Sequence, residues 1–257
     1  MKHLMPKSVL ILGGTGDARN LADKLVDTYG DDLRVITSLA GRTTSPRQPK
    51  GAIREGGFGG AEGLAKYLKE TKIKAVIDAT HPYAAQISKH GIEACQSIGI
   101  PYVLFDRPAW VQDPDENWLH VPDMAGAADA IETTSTAMIT TGIQNLDAFK
   151  NVHGPKILVR LLEHPKTELP IEDAEIVIGR PPYSLNDEVT LFKLLGVDTL
   201  VTKNAGGDAT RAKIDAARVL GIHVIMIDRP ATPPANTVTN IDEAVSWIAS
   251  ELALSAR

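Results

Sequence analysis

The chain has 257 residues, 43% of them hydrophobic and 23% charged, with a formal net charge of −5 and a pI near 5.8. That is enough apolar sequence to bury a substantial core, and too little positive charge for a nucleic-acid footprint; no basic run alternates with aromatics. The apolar run Val9–Leu12 ends at a glycine and no later run reaches the length of a membrane span, so a cytoplasmic protein without membrane or nucleic-acid partners is expected.

Ser8-Val9-Leu10-Ile11-Leu12 reads as a strand that breaks at Gly13-Gly14-Thr15-Gly16 and runs into the helical pattern Asp17-Ala18-Arg19-Asn20-Leu21-Ala22. A strand, a tight turn and a helix N-terminus gather backbone N–H groups and the positive end of the helix dipole at one point, which suits a dinucleotide pyrophosphate. Gly13, Gly14, Thr15, Gly16 and Asp17 are therefore cofactor candidates. The spacing departs from G-x-G-x-x-G, since counting from Gly14 and Gly16 places Arg19 sixth, and a βα turn holding no ligand carries the same signature.

The second strand, from Leu33, ends without the carboxylate that holds the ribose 2′-hydroxyl of NAD; Ser38 and Arg42 stand there instead. A hydroxyl beside a forked guanidinium fits a 2′-phosphate, so NADPH is expected over NADH, with an ordinary solvated arginine as the alternative reading of Arg42. Gly56-Gly57-Phe58-Gly59-Gly60 offers a second glycine loop at a helix start, which adds Gly57, Phe58 and Gly59 to the cofactor candidates; a flexible connection would look the same. The strand Ala75–Asp78 ends in Thr80-His81-Pro82-Tyr83. Thr80 is a cofactor candidate, and His81 and Tyr83 are the catalytic candidates, able to orient or protonate a ligand, although a lone histidine is commonly structural. The single cysteine, Cys95, excludes a disulfide or thiolate metal cluster within the chain and reads as a buried filler, and no metal is expected.

Gly99-Ile100-Pro101-Tyr102-Val103-Leu104-Phe105-Asp106-Arg107-Pro108-Ala109 recurs as Gly221-Ile222-His223-Val224-Ile225-Met226-Ile227-Asp228-Arg229-Pro230-Ala231. Working outward, Ala75–Thr80 corresponds to Thr199–Asn204, Val121-Pro122-Asp123-Met124 to Val238-Thr239-Asn240-Ile241, and the first strand to Ala137–Gly142. Strands alternating with helices give parallel sheets, so two Rossmann-like, doubly wound α/β domains are expected, over residues 1–135 and 136–257, with a ligand cleft between them at the strand carboxyl ends. At those ends the second half carries Arg160 after Lys156-Ile157-Leu158-Val159, then Lys203, Asn204, Gly206, Gly207, Arg211 and Lys213. They are candidates for an anionic substrate; helix-surface charge is the alternative, for Arg211 and Lys213 above all.

In order along the chain, Ile11–Gly16, Ser38–Arg42, Gly56–Gly60, Ala79–Tyr83, Arg107-Pro108-Ala109-Trp110 and Thr202–Gly207 make it resemble the precorrin-6A reductase family of the cobalamin pathway. The resemblance covers almost the whole chain; Tyr83 stands where phenylalanine is common and Ala205 where serine is frequent. It implies an NADPH-dependent reductase with the cofactor mainly on the first domain, which reduces one double bond of precorrin-6A to give precorrin-6B, and hand-over of the tetrapyrrole to neighbouring enzymes. Such a substrate carries several carboxylates, for which Arg160, Lys203, Arg211 and Lys213 supply cations to an acidic protein. A non-catalytic NADPH sensor or scaffold, and a reductase of another small substrate, are the competing readings.

Overall fold

The computed structural model describes residues 6–40, 48–231 and 234–255. Strands β1 (Lys7–Leu12), β2 (Leu33–Leu39), β3 (Ala52–Glu55), β4 (Ala75–Asp78) and β5 (Tyr102–Phe105) alternate with helices α1 (Gly16–Tyr29), α2 (Gly60–Glu70) and α3 (Ala85–Ile98). There follow β6 (Trp118–Val121), α4 (Met124–Asp129), β7 (Thr136–Ile139), β8 (Lys156–Leu161), β9 (Glu175–Ile178), α5 (Leu185–Leu195), β10 (Thr199–Lys203), α6 (Ala212–Leu220), β11 (His223–Ile227), β12 (Thr237–Val238) and α7 (Ile241–Glu251).

The first helix shows how the sequence sets its own limits. Thr15 caps its N-terminus by accepting from the Ala18 N–H, Ala18, Leu21, Ala22, Leu25 and Tyr29 bury one stripe, and Gly30 stops it at a positive φ of 52°. β1 is apolar without alternation because it is a central parallel strand covered on both faces. Against one face of its sheet α1 and α7 pack through Leu21, Leu25, Ala244 and Ile248; against the other, α2 and α3 pack through Leu64, Leu68, Ala94 and Cys95.

All strand pairs in both sheets are parallel. The sheet orders are β12-β5-β4-β1-β2-β3 and β6-β11-β10-β7-β8-β9, so each is a six-stranded doubly wound sheet, as the repeat implied. The boundary expected at residue 135 is corrected. The compact units are residues 1–108 with 230–257, and residues 109–229. The reason is an exchange of edge strands: β6 pairs with β11 through Val224↔Trp118 to Ile227↔Val121, and β12 pairs with β5 through Thr237↔Leu104 and Val238↔Phe105. Each half of the repeat thus gives its last strand and helix to the other half's sheet, and Pro108-Ala109 and Arg229-Pro230 are where the chain passes over. Within each unit the winding reverses between two central strands, β1 and β4 in the first and β7 and β10 in the second, and ligands of such sheets bind at the carboxyl ends of those strands.

Candidate functional sites at the strand ends

In the first unit the turn after β1 divides its glycines between two tasks. Gly13 donates its N–H to the Ser38 carbonyl at 2.9 Å, and a Cβ on it would sit 2.8 Å from the Thr37 methyl, so its smallness lets β1 lie against β2. Gly14 has φ +109° and nothing within 4 Å of where a Cβ would stand; its backbone faces open space in a conformation that side chains resist. Thr15 works in two directions: its Oγ1 accepts from Ala18 N at 3.0 Å and donates to the Ala79 carbonyl at 2.7 Å, joining the loops that follow β1 and β4. Asp17, in the first turn of α1, is ion-paired with Arg107 from the segment after β5, so its carboxylate is committed within the protein. A carboxylate beside the turn would repel a phosphate unless a cation neutralised it, and Arg107 supplies that cation.

The loop after β4 is built on Asp78, which is fully buried. Its Oδ1 accepts from the Thr80 N–H at 3.0 Å and the Thr80 hydroxyl at 2.7 Å, and its Oδ2 accepts from the Tyr102 hydroxyl at 2.8 Å. Burial and the adjoining Asp78 carboxylate push the Tyr102 phenol well above its ordinary range, which holds it as a donor. Thr80 is therefore fixed at the strand end. Beyond it His81 Nδ1 accepts from the Tyr83 N–H at 3.3 Å, and the two rings lie 5.5 Å apart, tilted by 50°. Cys95 is buried, and burial followed by the nearby Asp78 charge pushes its thiol up to about 12, so it stays protonated, an inert filler.

At the end of β2, Ser38 is buried and its hydroxyl accepts from Arg54 Nη1 at 3.3 Å; Arg54 lies on β3 directly across from it. Arg54 also donates to the Gly56 carbonyl and, at 2.7 Å, to the Gly57 carbonyl, and its guanidinium stacks 3.7 Å from the Phe58 ring centroid. Gly57 and Phe58 are thus held by an arginine that the sequence reading overlooked, and Gly59, with left-handed backbone, leads from them into α2. Arg42 lies outside the described residues.

In the second unit the expected cations separate into three kinds. Arg211 is bound by three carboxylates: Glu116 at 2.6 Å, Asp215 at 2.9 Å and Asp113 at 3.7 Å. Asn204 spends its amide on Trp110, with Oδ1 accepting from the Trp110 N–H at 2.8 Å and Nδ2 donating to its carbonyl at 2.9 Å. These contacts tie both side chains to neighbouring residues of the same unit. Arg160, 8% exposed, shares Nη1 between both oxygens of the buried Glu188 at 2.7 and 3.0 Å, while its Nη2 is buried without a partner among the described residues. The Tyr183 ring lies 4.8 Å from its guanidinium carbon.

Lys203, at the end of β10, is lowered to about 8 by burial. Lys213, on the first turn of α6, is 8% exposed and donates to Thr140 Oγ1 at 3.2 Å. Burial first, then the Arg160 and Lys203 charges set against the Glu188 carboxylate, bring it down to about 7. The adjacent Thr141 hydroxyl is buried and also unpartnered among the described residues. Gly206 and Gly207 both take positive φ, and the Gly207 carbonyl accepts from the Trp110 indole at 2.9 Å.

A family model described as precorrin-6x reductase CbiJ/CobK matches residues 8–249. The chain belongs to the precorrin-6x reductase family. A precorrin-6A reductase of Rhodococcus erythropolis is 43% identical over 93% of this chain and 96% of its own length. A solved structure of a protein named CobK precorrin-6A reductase superposes with a TM-score of 0.90 at 37% identity, covering 95% of this chain and 97% of that one. A cobalt-precorrin-6A reductase of Priestia megaterium is 29% identical over 95% of this chain and 98% of its own length.

As a member of that family the chain is an oxidoreductase that uses a nicotinamide cofactor, and its first unit fits one. The open backbone at Gly14, the α1 N-terminus and the buried Ser38 hydroxyl lie along one edge of the sheet, in the order that pyrophosphate and adenosine ribose require. The residues that sequence reasoning missed in this reductase are Arg54, Asp78 and Glu188. Only Arg54 had a signal, its position directly across from Ser38 on β3, and reading it needs the β2–β3 pairing.

Proposed function

We propose that the protein reduces one double bond of precorrin-6A to give precorrin-6B in cobalamin biosynthesis, consuming NADPH and a proton. The observation that carries this reading is the family match over residues 8–249, which takes in both sheets and both sets of strand ends. NADPH, when bound, supplies the hydride. The chain's own residues do the rest. Gly14 and the α1 N-terminus receive the pyrophosphate, Ser38 with Arg42 or Arg54 receives the adenosine end, and Asp78 and Thr15 hold Thr80, His81 and Tyr83 in place beside the nicotinamide. At the second unit's strand ends Arg160, Lys203 and Lys213, with the Gly206-Gly207 backbone, answer the substrate's carboxylates, which is what an acidic protein needs in order to hold a polyanion.

The relatives named for the metal-free substrate include one at 43% identity, whereas the one named for the cobalt form stands at 29%, which supports the metal-free macrocycle as substrate. Among the described residues no helix is long and apolar enough to cross a membrane; action in the cytoplasm and hand-over of product to the next enzyme are part of the proposal. The test is an anaerobic incubation with precorrin-6A and NADPH, followed by visible absorbance. Loss of the substrate chromophore matched mole for mole by NADPH oxidation is expected. An unchanged spectrum, with NADPH bound but not consumed, would instead identify a sensor.

A further inference from the structure

In a doubly wound sheet that binds NAD, the strand beside the central glycine turn ends near a carboxylate, which accepts from the 2′-hydroxyl of the adenosine ribose. Here β2 ends at Ser38 and Leu39, and the groups around the Ser38 hydroxyl have the opposite polarity. We propose that Arg54 reads the 2′-phosphate of the cofactor and so decides NADPH over NADH, an assignment that rests on the cofactor reading above and gives it a residue and a basis for selectivity.

Strand register places Arg54 for that task. It lies on β3 directly across from Ser38, and its Nη1 donates to the Ser38 hydroxyl oxygen at 3.3 Å. A hydroxyl that accepts from a guanidinium keeps its own proton to donate. Ser38 and Arg54 together therefore present donors where an NAD site presents an acceptor, which matches the oxygens of a phosphate monoester. Every partner of Arg54 among the described residues is neutral: the Ser38 hydroxyl, the Gly56 and Gly57 carbonyls, and the Phe58 and Tyr67 rings, whose centroids lie 3.7 and 5.1 Å from its guanidinium carbon. Arg107, Arg160 and Arg211, by contrast, are each bound to a carboxylate. The neighbours of Arg54 thus hold its charge in place without cancelling it, and a side chain fixed in advance loses little freedom when a ligand arrives.

The position is open to a ligand. Arg54 is half-buried, Gly56, Gly57 and Gly59 are exposed, and a Cβ on any of these three or on Gly60 would meet nothing within 4 Å. Gly56, Gly59 and Gly60 take positive φ, a conformation that keeps side chains off this loop and leaves its surface clear beside the guanidinium. An arginine that served only to shape the loop would hold the same two carbonyls for either cofactor, so selectivity separates the two roles. A phosphate dianion accepts from more than one guanidinium, which leaves room for Arg42 beside Arg54.

The experiment measures binding and needs no turnover. Adenosine 2′,5′-bisphosphate and adenosine 5′-monophosphate differ in the 2′-phosphate alone; both are titrated by calorimetry, and NADPH and NADH by fluorescence, against wild type, Arg54→Met and Arg54→Lys. Wild type should prefer the 2′-phosphorylated member of each pair. Arg54→Met should lower that preference by about 10–100-fold, as expected for lost hydrogen bonds to a charged group, by weakening the phosphorylated ligand and sparing the other. Arg54→Lys keeps a point charge without the fork and should lower it by about 3–10-fold. A preference kept in full by Arg54→Met, or an equal loss of both members of a pair, overturns the assignment and leaves the reductase reading standing. Should that variant unfold, an unchanged preference in Arg54→Lys does the same. A wild type with no preference for the 2′-phosphate overturns the NADPH reading and the assignment together.

Discussion

Lys213→Met tests the buried cluster without any ligand. An unfolded lysine titrates at 10.5 and the native one at about 7, so between those values the unfolded chain holds a proton that the native protein has lost, and stability rises with pH. Below pH 7 both states are charged and the native protein bears the whole cost of burying the ammonium, roughly 4–5 kcal/mol at about 1.36 kcal/mol per pKa unit. Methionine has similar length and no charge, so the variant should be more stable than wild type by that amount at pH 6 and by only about 2 kcal/mol at pH 9, where most native wild type is already neutral. The loss of the Thr140 hydrogen bond subtracts about 1 kcal/mol at every pH. Urea unfolding followed by tryptophan fluorescence at the two pH values measures the gap. A gap that does not change with pH, or a variant less stable than wild type at pH 6, would show that Lys213 is charged and well solvated in the native protein.

Three further outcomes are expected. Glu188→Ala leaves the Arg160 guanidinium buried with neither oxygen to accept from it, and should cost about 3–5 kcal/mol in urea unfolding at pH 7; a loss under 1 kcal/mol would mean that water reaches Arg160 freely. Gly14→Val should yield a folded protein that no longer binds NADPH in a fluorescence titration, whereas Gly13→Val should be destabilised by about 1–3 kcal/mol, because its Cβ meets Thr37 at 2.8 Å. Undiminished NADPH affinity in Gly14→Val removes the pyrophosphate from that turn. Arg42→Ala should weaken NADPH by about 1–3 kcal/mol and leave weak NADH binding unchanged; equal losses for both cofactors would transfer recognition of the 2′-phosphate to another group, with Arg54 the first alternative.

Periodicity and the repeated Asp-Arg-Pro-Ala segments were enough to read two parallel α/β units, because both signals are local or nearly identical in sequence. The edge-strand exchange was hidden for the same reason. Val121-Pro122-Asp123 and Val238-Thr239-Asn240 are equivalent as sequences, and a parallel edge strand of two to four residues carries no mark of which sheet it joins. Among the site residues, the turn at Gly14 and Thr15 was legible because strand, glycine and helix follow one another directly. The fate of the cations was not, since Arg211 meets Glu116 from 95 residues away and Arg160 meets Glu188 across 28. Lys213 reads as a surface charge in a helix, and only the packing of α6 against the strand ends turns it inward.

The most direct measurement is a single anaerobic turnover of precorrin-6A with NADPH deuterated at the transferred position, followed by mass spectrometry of the tetrapyrrole. The account predicts a product carrying two added hydrogens, one of them deuterium from the cofactor and the other from solvent. A macrocycle recovered without deuterium would contradict it.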